Sequence, residues 1–153
     1  MVRSWQRELS RAIQQAVDQM RAQKSGAADT VEVSPEARHM LAKLKARDQE
    51  VRAHEAAHMA AGGSLVKGGV SFTYQRGPDG GLYAVGGEVS IDTSPERDPR
   101  ATLAKAERIR AAALAPSDPS STDRAAAAAA SAMAAQASAE LARQNRPGLD
   151  LRA

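Results

Sequence analysis

The sequence VRAHEAAHMAAGG, residues 51–63, places two histidines four positions apart and ends in a pair of glycines. On an α-helix, residues four apart differ by about 40° in azimuth and by about 6 Å along the axis, so His54 and His58 can reach one metal ion. Glu55 lies beside the first histidine and can contact a water molecule next to that ion, which suits a general base. The spacing therefore predicts half of a zinc site, on a helix that the two glycines end.

The helix that carries this motif is predicted to run from Pro35 to about Ala61. A serine precedes the proline and can cap the first turn, and a proline at the first helical position loses no hydrogen bond there. Leu44, Val51 and His58 follow one another at intervals of seven residues, so they share one face of the helix. We therefore expect the metal-ligating face to be the face that packs on the core.

A glycine-rich segment follows the motif helix and has the only β-like pattern in the chain. Nine of the eleven glycines lie between residues 62 and 87, and residues of high β-propensity flank a Gly-Pro-Asp-Gly-Gly turn. This pattern predicts a β-hairpin with strands at residues 70–75 and 82–92. Two helices are predicted after the hairpin: one that Asp98 caps and that runs to about Leu114, and one from about Pro119 to Asn145.

The fold class is therefore predicted to be α+β and mostly helical, with a long motif helix, a glycine-rich hairpin and two C-terminal helices. A further amphipathic helix is predicted at residues 2–23, because apolar residues recur every three or four positions. These residues are Trp5, Leu9, Ile13, Val17 and Met20. We divide the chain into an N-terminal helical region at 1–24, a linker at 25–33, a main domain at 34–145 and a flexible tail at 146–153.

Composition narrows the classes of function. Cysteine is absent, which excludes disulfides, thiolate zinc clusters and cysteine nucleophiles. Basic and acidic residues are interleaved despite a net charge of +3, so the sequence has no basic block of the kind that binds phosphates, and we expect no nucleic-acid partner. It has neither a run of about 18 apolar residues nor a signal-peptide core, so we expect a cytoplasmic protein without membrane insertion.

A catalytic zinc site requires a third protein ligand beside the two histidines. His39 is excluded and expected at the surface, since it lies about 22 Å from His54 along a continuous helix. An aspartate or glutamate must therefore complete the site, and Glu88 is the first choice because it follows a Gly-Gly pair on a strand that can lie beside the motif helix. The alternatives are Asp92, on the same face of that strand, and then the less favoured Glu96, Asp98 and Asp123.

These residues predict metal-assisted hydrolysis of a peptide bond. Zn²⁺ polarises a scissile carbonyl and lowers the pKa of its water towards about 7, while Glu55 takes the proton and delivers it to the leaving amine. Tyr74 and Tyr83 are candidates for stabilising the oxyanion, although packing within the hairpin is the commoner role for such residues. The competing hypothesis is a non-catalytic helical interaction module with a structural or vestigial metal site. The helix at residues 2–23 is expected to dock on the main domain or to contact a partner helix.

Four blocks, in this order, cover the chain from Leu44 to about Asp123: LKARDQEVRAHEAAHMAAGG, GPDGGLYAVGGEVSIDTSPERDP, ATLAKAERIRAAALAP and PSSTDR. They resemble the SprA-related family, bacterial proteins interpreted as zincin-like zinc metalloproteases. The resemblance implies that the main domain is a zincin-like metallopeptidase domain acting on a peptide or protein. It also implies that His54 and His58 are ligands and that Glu55 is the base. The N-terminal helix lies outside these blocks.

Overall fold

The computed structural model describes residues 2–23 and 33–146. Within these ranges the two strands form a two-stranded antiparallel hairpin, and a short 3-10 turn at residues 63–65 connects it to the motif helix. The predicted α+β, mostly helical fold class is confirmed. The elements are the helices α1 (Val2–Gln23), α2 (Pro35–Gly62), α3 (Pro99–Ala113) and α4 (Ser121–Gln144), and the strands β1 (Val66–Arg76) and β2 (Leu82–Ile91).

Two of the predicted segments fall mostly outside the described residues. The linker predicted at residues 25–33 lies outside them except for Val33, and the tail predicted at 146–153 lies outside them except for Arg146. The bounds of α1 agree with the helix predicted at residues 2–23. None of the helices in the described ranges combines the length and the apolarity needed to cross a bilayer.

The chain divides into two compact units. The first comprises the described residues up to Arg52 together with Phe72–Gly87, and the second comprises Ala53–Ser71 and the described residues from Glu88 onward. The main domain predicted at residues 34–145 contributes to both units. The motif residues 54–58 belong to the second unit.

In the first unit, α1 packs its apolar stripe against α2 and β2. The buried core consists of Leu9, Ile13, Leu44 and Val85, and removing such side chains from water is the main force that holds α1 in place. The α2 and β2 backbones are also connected by a hydrogen bond, because the backbone N–H of Ala84 donates to Oδ1 of Asp48 at 2.7 Å.

Helix α2 keeps one buried face along its whole length. Ala37, Leu44, Val51 and His58, which follow one another at intervals of seven residues, are all buried. This confirms the expectation that the second histidine lies on the core-facing stripe. A histidine on that face must find a polar partner, since a buried ring nitrogen without one is costly.

The second unit has its own core, made where α3 and α4 pack together. Leu65, Ile109 and Ala130 are buried in it. Many small alanine side chains let the two helices approach closely. Beside this core, the Nζ of the buried Lys105 donates to Asp92 at 3.0 Å and to Glu96 at 2.9 Å, so the segment after β2 is fixed to α3 by a paired charge.

The helix ends have specific causes. Asp98 caps α3 as predicted, accepting from the N–H of Arg100 at 3.1 Å. The start of α4 differs from the predicted Pro119, because Ser120 is the capping residue and the helix begins at Ser121. At the end of α2, a Cβ on Gly62 would lie 2.7 Å from Cγ2 of Val66, so a larger residue there would require the valine side chain to move.

Candidate metal centre

His54 and His58 lie one turn apart on α2, and their rings turn towards each other. Their Nε2 atoms are 3.2 Å apart, and the ring planes meet at 77° with centroids 4.8 Å apart. The side chain of His58 is 6% exposed, whereas that of His54 is 26% exposed. One ring is therefore held in the interior of the unit and the other remains accessible to solvent.

The C-terminal end of α3 fixes the tautomer of His58. Its Nδ1 lies 2.9 Å from the carbonyl oxygen of Ala112, and because a carbonyl can only accept, Nδ1 carries the proton. The usual helical partner of that carbonyl would be the N–H of residue 116, which is a proline and has none. A neutral imidazole protonated at Nδ1 presents a lone pair at Nε2, the form that binds metals.

Asp123, in the first turn of α4, brings a carboxylate to both rings. Its Oδ2 lies 3.2 Å from Nε2 of His54, and its Oδ1 lies 3.2 Å from Nε2 of His58. Burial raises the pKa of Asp123, but hydrogen bonds from Ser120 and the two imidazoles outweigh it, so the pKa lies below its ordinary value. The ionised carboxylate is the form that ligates a cation.

The three side chains fit a tetrahedral zinc ion. They form a group in which each residue offers one ligand atom, and these atoms all lie within 4.8 Å of one another. Zinc bonds of about 2.0–2.1 Å at tetrahedral angles separate neighbouring ligand atoms by about 3.3–3.4 Å. The two Nε2 atoms are 3.2 Å apart and each lies 3.2 Å from a different oxygen of the carboxylate, and these contacts are close to that value. Two imidazoles and one carboxylate are also the ligand types of hydrolytic zinc sites.

Glu55 lies next to this group and is itself buried, with 5% of its surface exposed. Burial raises the pKa of this carboxyl group, and the nearby imidazoles of His54 and His58 oppose the change. The carboxylates of Asp123 and Glu88 raise it further, and the pKa lies above its ordinary value. A carboxyl group in this environment holds its proton more readily than an exposed glutamate does.

The other predicted ligands are placed elsewhere. Glu88 is exposed on β2 and lies outside the group that His54, His58 and Asp123 form. Its assignment as the third ligand stays a prediction, and the geometry favours Asp123 in its place. Asp92, the first alternative, accepts hydrogen bonds from the Ser94 hydroxyl at 2.6 Å and from a buried lysine at 3.0 Å.

The remaining candidates lie away from the ligand group or have other partners. His39 is exposed on α2, as predicted. The hydroxyl of Tyr83 donates to Asp79 at 2.6 Å within the turn of the hairpin, and Tyr74 is 49% exposed. Both tyrosines belong to the first unit, and their role towards an oxyanion stays a prediction.

One local signal in the sequence points to Asp123. Ser120-Ser121-Thr122-Asp123 precedes a run of alanines, and a serine with an acid three residues later before such a run is typical of a capping box. That pattern places Asp123 in the first turn of a helix, with its side chain turned back towards the helix start. The pattern does not indicate which residues face that turn.

Comparison with known proteins gives a family for the chain. No curated protein and no solved structure matches it. The sequence model of the SprA-related family matches residues 2–149, so the match includes α1, which the four blocks had left outside the resemblance. A match of this extent means that the chain belongs to the SprA-related family.

Proposed function

We propose that this chain is a zinc-dependent metallopeptidase in which His54, His58 and Asp123 hold the metal and Glu55 is the general base. The observation that carries the proposal is the meeting of two imidazoles and a carboxylate at 3.2 Å contacts. Because Nδ1 of His58 carries the proton, the lone pair of that ring is on Nε2, the atom that faces His54 and Asp123. When bound, zinc supplies a Lewis acid that polarises a carbonyl and lowers the pKa of a water molecule to about 7.

Glu55 and the carbonyl of Ala112 would have the remaining roles in the reaction. Glu55 follows His54 directly on α2 and is buried beside the ligand group, where it can accept the proton of the attacking water and pass it to the leaving amine. Its raised pKa makes the ionised carboxylate a stronger base towards that water. The carbonyl of Ala112 holds the ring of His58 in one orientation. The imidazole therefore loses little conformational freedom when the ion binds.

The proposed substrate is a peptide or protein. The order of residues in the motif, with a carboxylate directly after the first of two histidines four apart, is the arrangement that serves amide hydrolysis in metalloproteases. A cytoplasmic location is part of the proposal.

Zinc content and hydrolysis together test the proposal. We expect about one zinc per purified chain, with the metal lost in His58→Ala, and cleavage of a fluorescently labelled unfolded protein by the wild type. Glu55→Gln should keep the zinc and lose hydrolysis by a factor of at least about 100. The control is Glu36→Gln, which makes the same change at an exposed position of the same helix and should hydrolyse normally.

A second candidate function is a non-catalytic interaction module. The observation in its favour is that the Asp123 carboxylate can accept a hydrogen bond from a histidine ring nitrogen at 3.2 Å, so the group can be satisfied without an ion. A metal-free wild type that cannot be reconstituted, or a zinc protein whose slow hydrolysis is unchanged by Glu55→Gln, would favour this module over the peptidase.

A further inference from the structure

Asp123 has two roles in the structure, because the carboxylate that faces the histidines also closes a capping box. The backbone N–H of Ser120 donates to Oδ2 of Asp123 at 2.6 Å, and the N–H of Asp123 donates to Oγ of Ser120 at 3.1 Å. The carbonyl of Ser120 accepts the first helical bond, from the N–H of Arg124 at 3.0 Å. The start of α4 and the orientation of the carboxylate therefore depend on the same residue.

These bonds leave part of the carboxylate available for an ion. Ser120 bonds to Oδ2, whereas Oδ1 lies 3.2 Å from Nε2 of His58 and takes no part in the cap. The bond from the Ser120 N–H to Oδ2 restricts the torsions of the Asp123 side chain, and the bond from the Asp123 N–H to Oγ of Ser120 holds the backbone of the first turn in the geometry that this requires. The entropy of ordering this ligand is then lost during folding and does not oppose metal binding.

We propose that Ser120 is a positioning residue for the metal centre: its capping box holds the Asp123 carboxylate in the direction from which it ligates the ion. The inference rests on the proposed metal site. It adds to that site a residue that does not itself ligate the ion. The end of α3 does the same for His58 through the carbonyl of Ala112. Two helix ends thus orient two of the three ligands.

The experiment compares two helix caps of the same unit. Ser120→Ala removes the hydroxyl that closes the capping box of α4 but keeps the backbone N–H that bonds to Oδ2 of Asp123. Asp98→Ala removes the side-chain cap of α3; the Asp98 carboxylate bonds to the N–H of Arg100 and lies outside the ligand group. Zinc affinity is measured by competition with a chromophoric chelator. We expect Ser120→Ala to bind zinc about tenfold more weakly, the lower end of the range for residues that orient metal ligands, and Asp98→Ala to bind as the wild type does.

A spectrum separates positioning from general destabilisation. With Co²⁺ in place of zinc, the visible absorption bands report the arrangement of the ligands, and we expect them to shift in Ser120→Ala and to stay unchanged in Asp98→Ala. Ser120→Thr, which keeps the hydroxyl, should restore both the affinity and the spectrum. Thermal unfolding of the metal-free proteins shows whether the two alanine variants lose similar stability.

The outcomes separate this inference from the proposed function. Zinc affinity and cobalt spectrum unchanged in Ser120→Ala would overturn the positioning role and leave the peptidase proposal standing. Equal losses of affinity in both alanine variants would also overturn it, since the effect would then be one of stability. Weaker binding in Ser120→Ala alone would support it even if the zinc protein hydrolyses nothing. A wild type that binds no zinc would overturn the metal site and the positioning role together.

Discussion

Replacing Asp123 by asparagine is expected to remove the metal from the protein while leaving its fold in place. The amide oxygen of asparagine can still accept the N–H of Ser120, which now bonds to Oδ2 at 2.6 Å, so the start of α4 is retained. The variant loses the negative charge that lies 3.2 Å from both Nε2 atoms. Removing residues that merely orient a ligand costs about 10–100-fold in affinity, so losing a ligand should cost at least about 100-fold.

The assay is a zinc titration against a chelator of known affinity, made on Asp123→Asn and Glu88→Gln in parallel. Each change removes one charge from a carboxylate of the second unit, and Glu88 is exposed and outside the ligand group. We expect Glu88→Gln to bind zinc within about twofold of the wild type, because an exposed side chain that supplies no ligand atom usually contributes little. Circular dichroism of the metal-free proteins checks that both variants keep their helices.

The opposite result would refute the geometric argument. If Glu88→Gln lost its zinc and Asp123→Asn kept it, the third ligand would be the one first predicted from the sequence. The 3.2 Å contacts of Asp123 would then be hydrogen bonds of the metal-free protein. Retention of zinc in both variants would point to a different third ligand.

Three further predictions concern stability. Leu44→Ala should lower the free energy of unfolding by about 2–5 kcal/mol in a urea titration, because Leu44 is fully buried. Gly62→Ala should lower it by about 1–3 kcal/mol, since the new Cβ would lie 2.7 Å from a valine methyl of β1. Hydrogen bonds from the hydroxyl and N–H of Ser94, and then from Lys105, lower the pKa of Asp92. The ionised Asp92 should therefore stabilise the fold above about pH 4, the pKa of an unfolded aspartate, and this stabilisation should be lost as the pH falls from there through the folded pKa. Asp92→Asn should reduce this acid dependence of the thermal midpoint.

The elements could be predicted because their signals are local. The heptad interval of Leu44, Val51 and His58 indicates one buried face whatever that face packs against, and all three are buried. The cap at Asp98 was likewise readable, since an N-cap needs only an oxygen two or three residues before a free N–H. The bounds of α4 were less well predicted because Pro119 and Ser120 both suit a helix start, and only Ser120 has a side chain that closes the capping box.

The sequence by itself determined the two histidines, the neighbouring Glu55 and the helix that carries them, because a spacing of four residues on a helix fixes which side chains share a face. Only the tertiary structure decided which carboxylate meets them. Asp123 is 69 residues from His54 along the chain, and it reaches the rings because α3 packs on α4 and the capping box of α4 turns its carboxylate towards them. Glu88 was the first choice from the sequence and Asp123 a less favoured one, but Glu88 is exposed on β2. A contact of such long range depends on how the elements pack, which no local pattern of residues specifies.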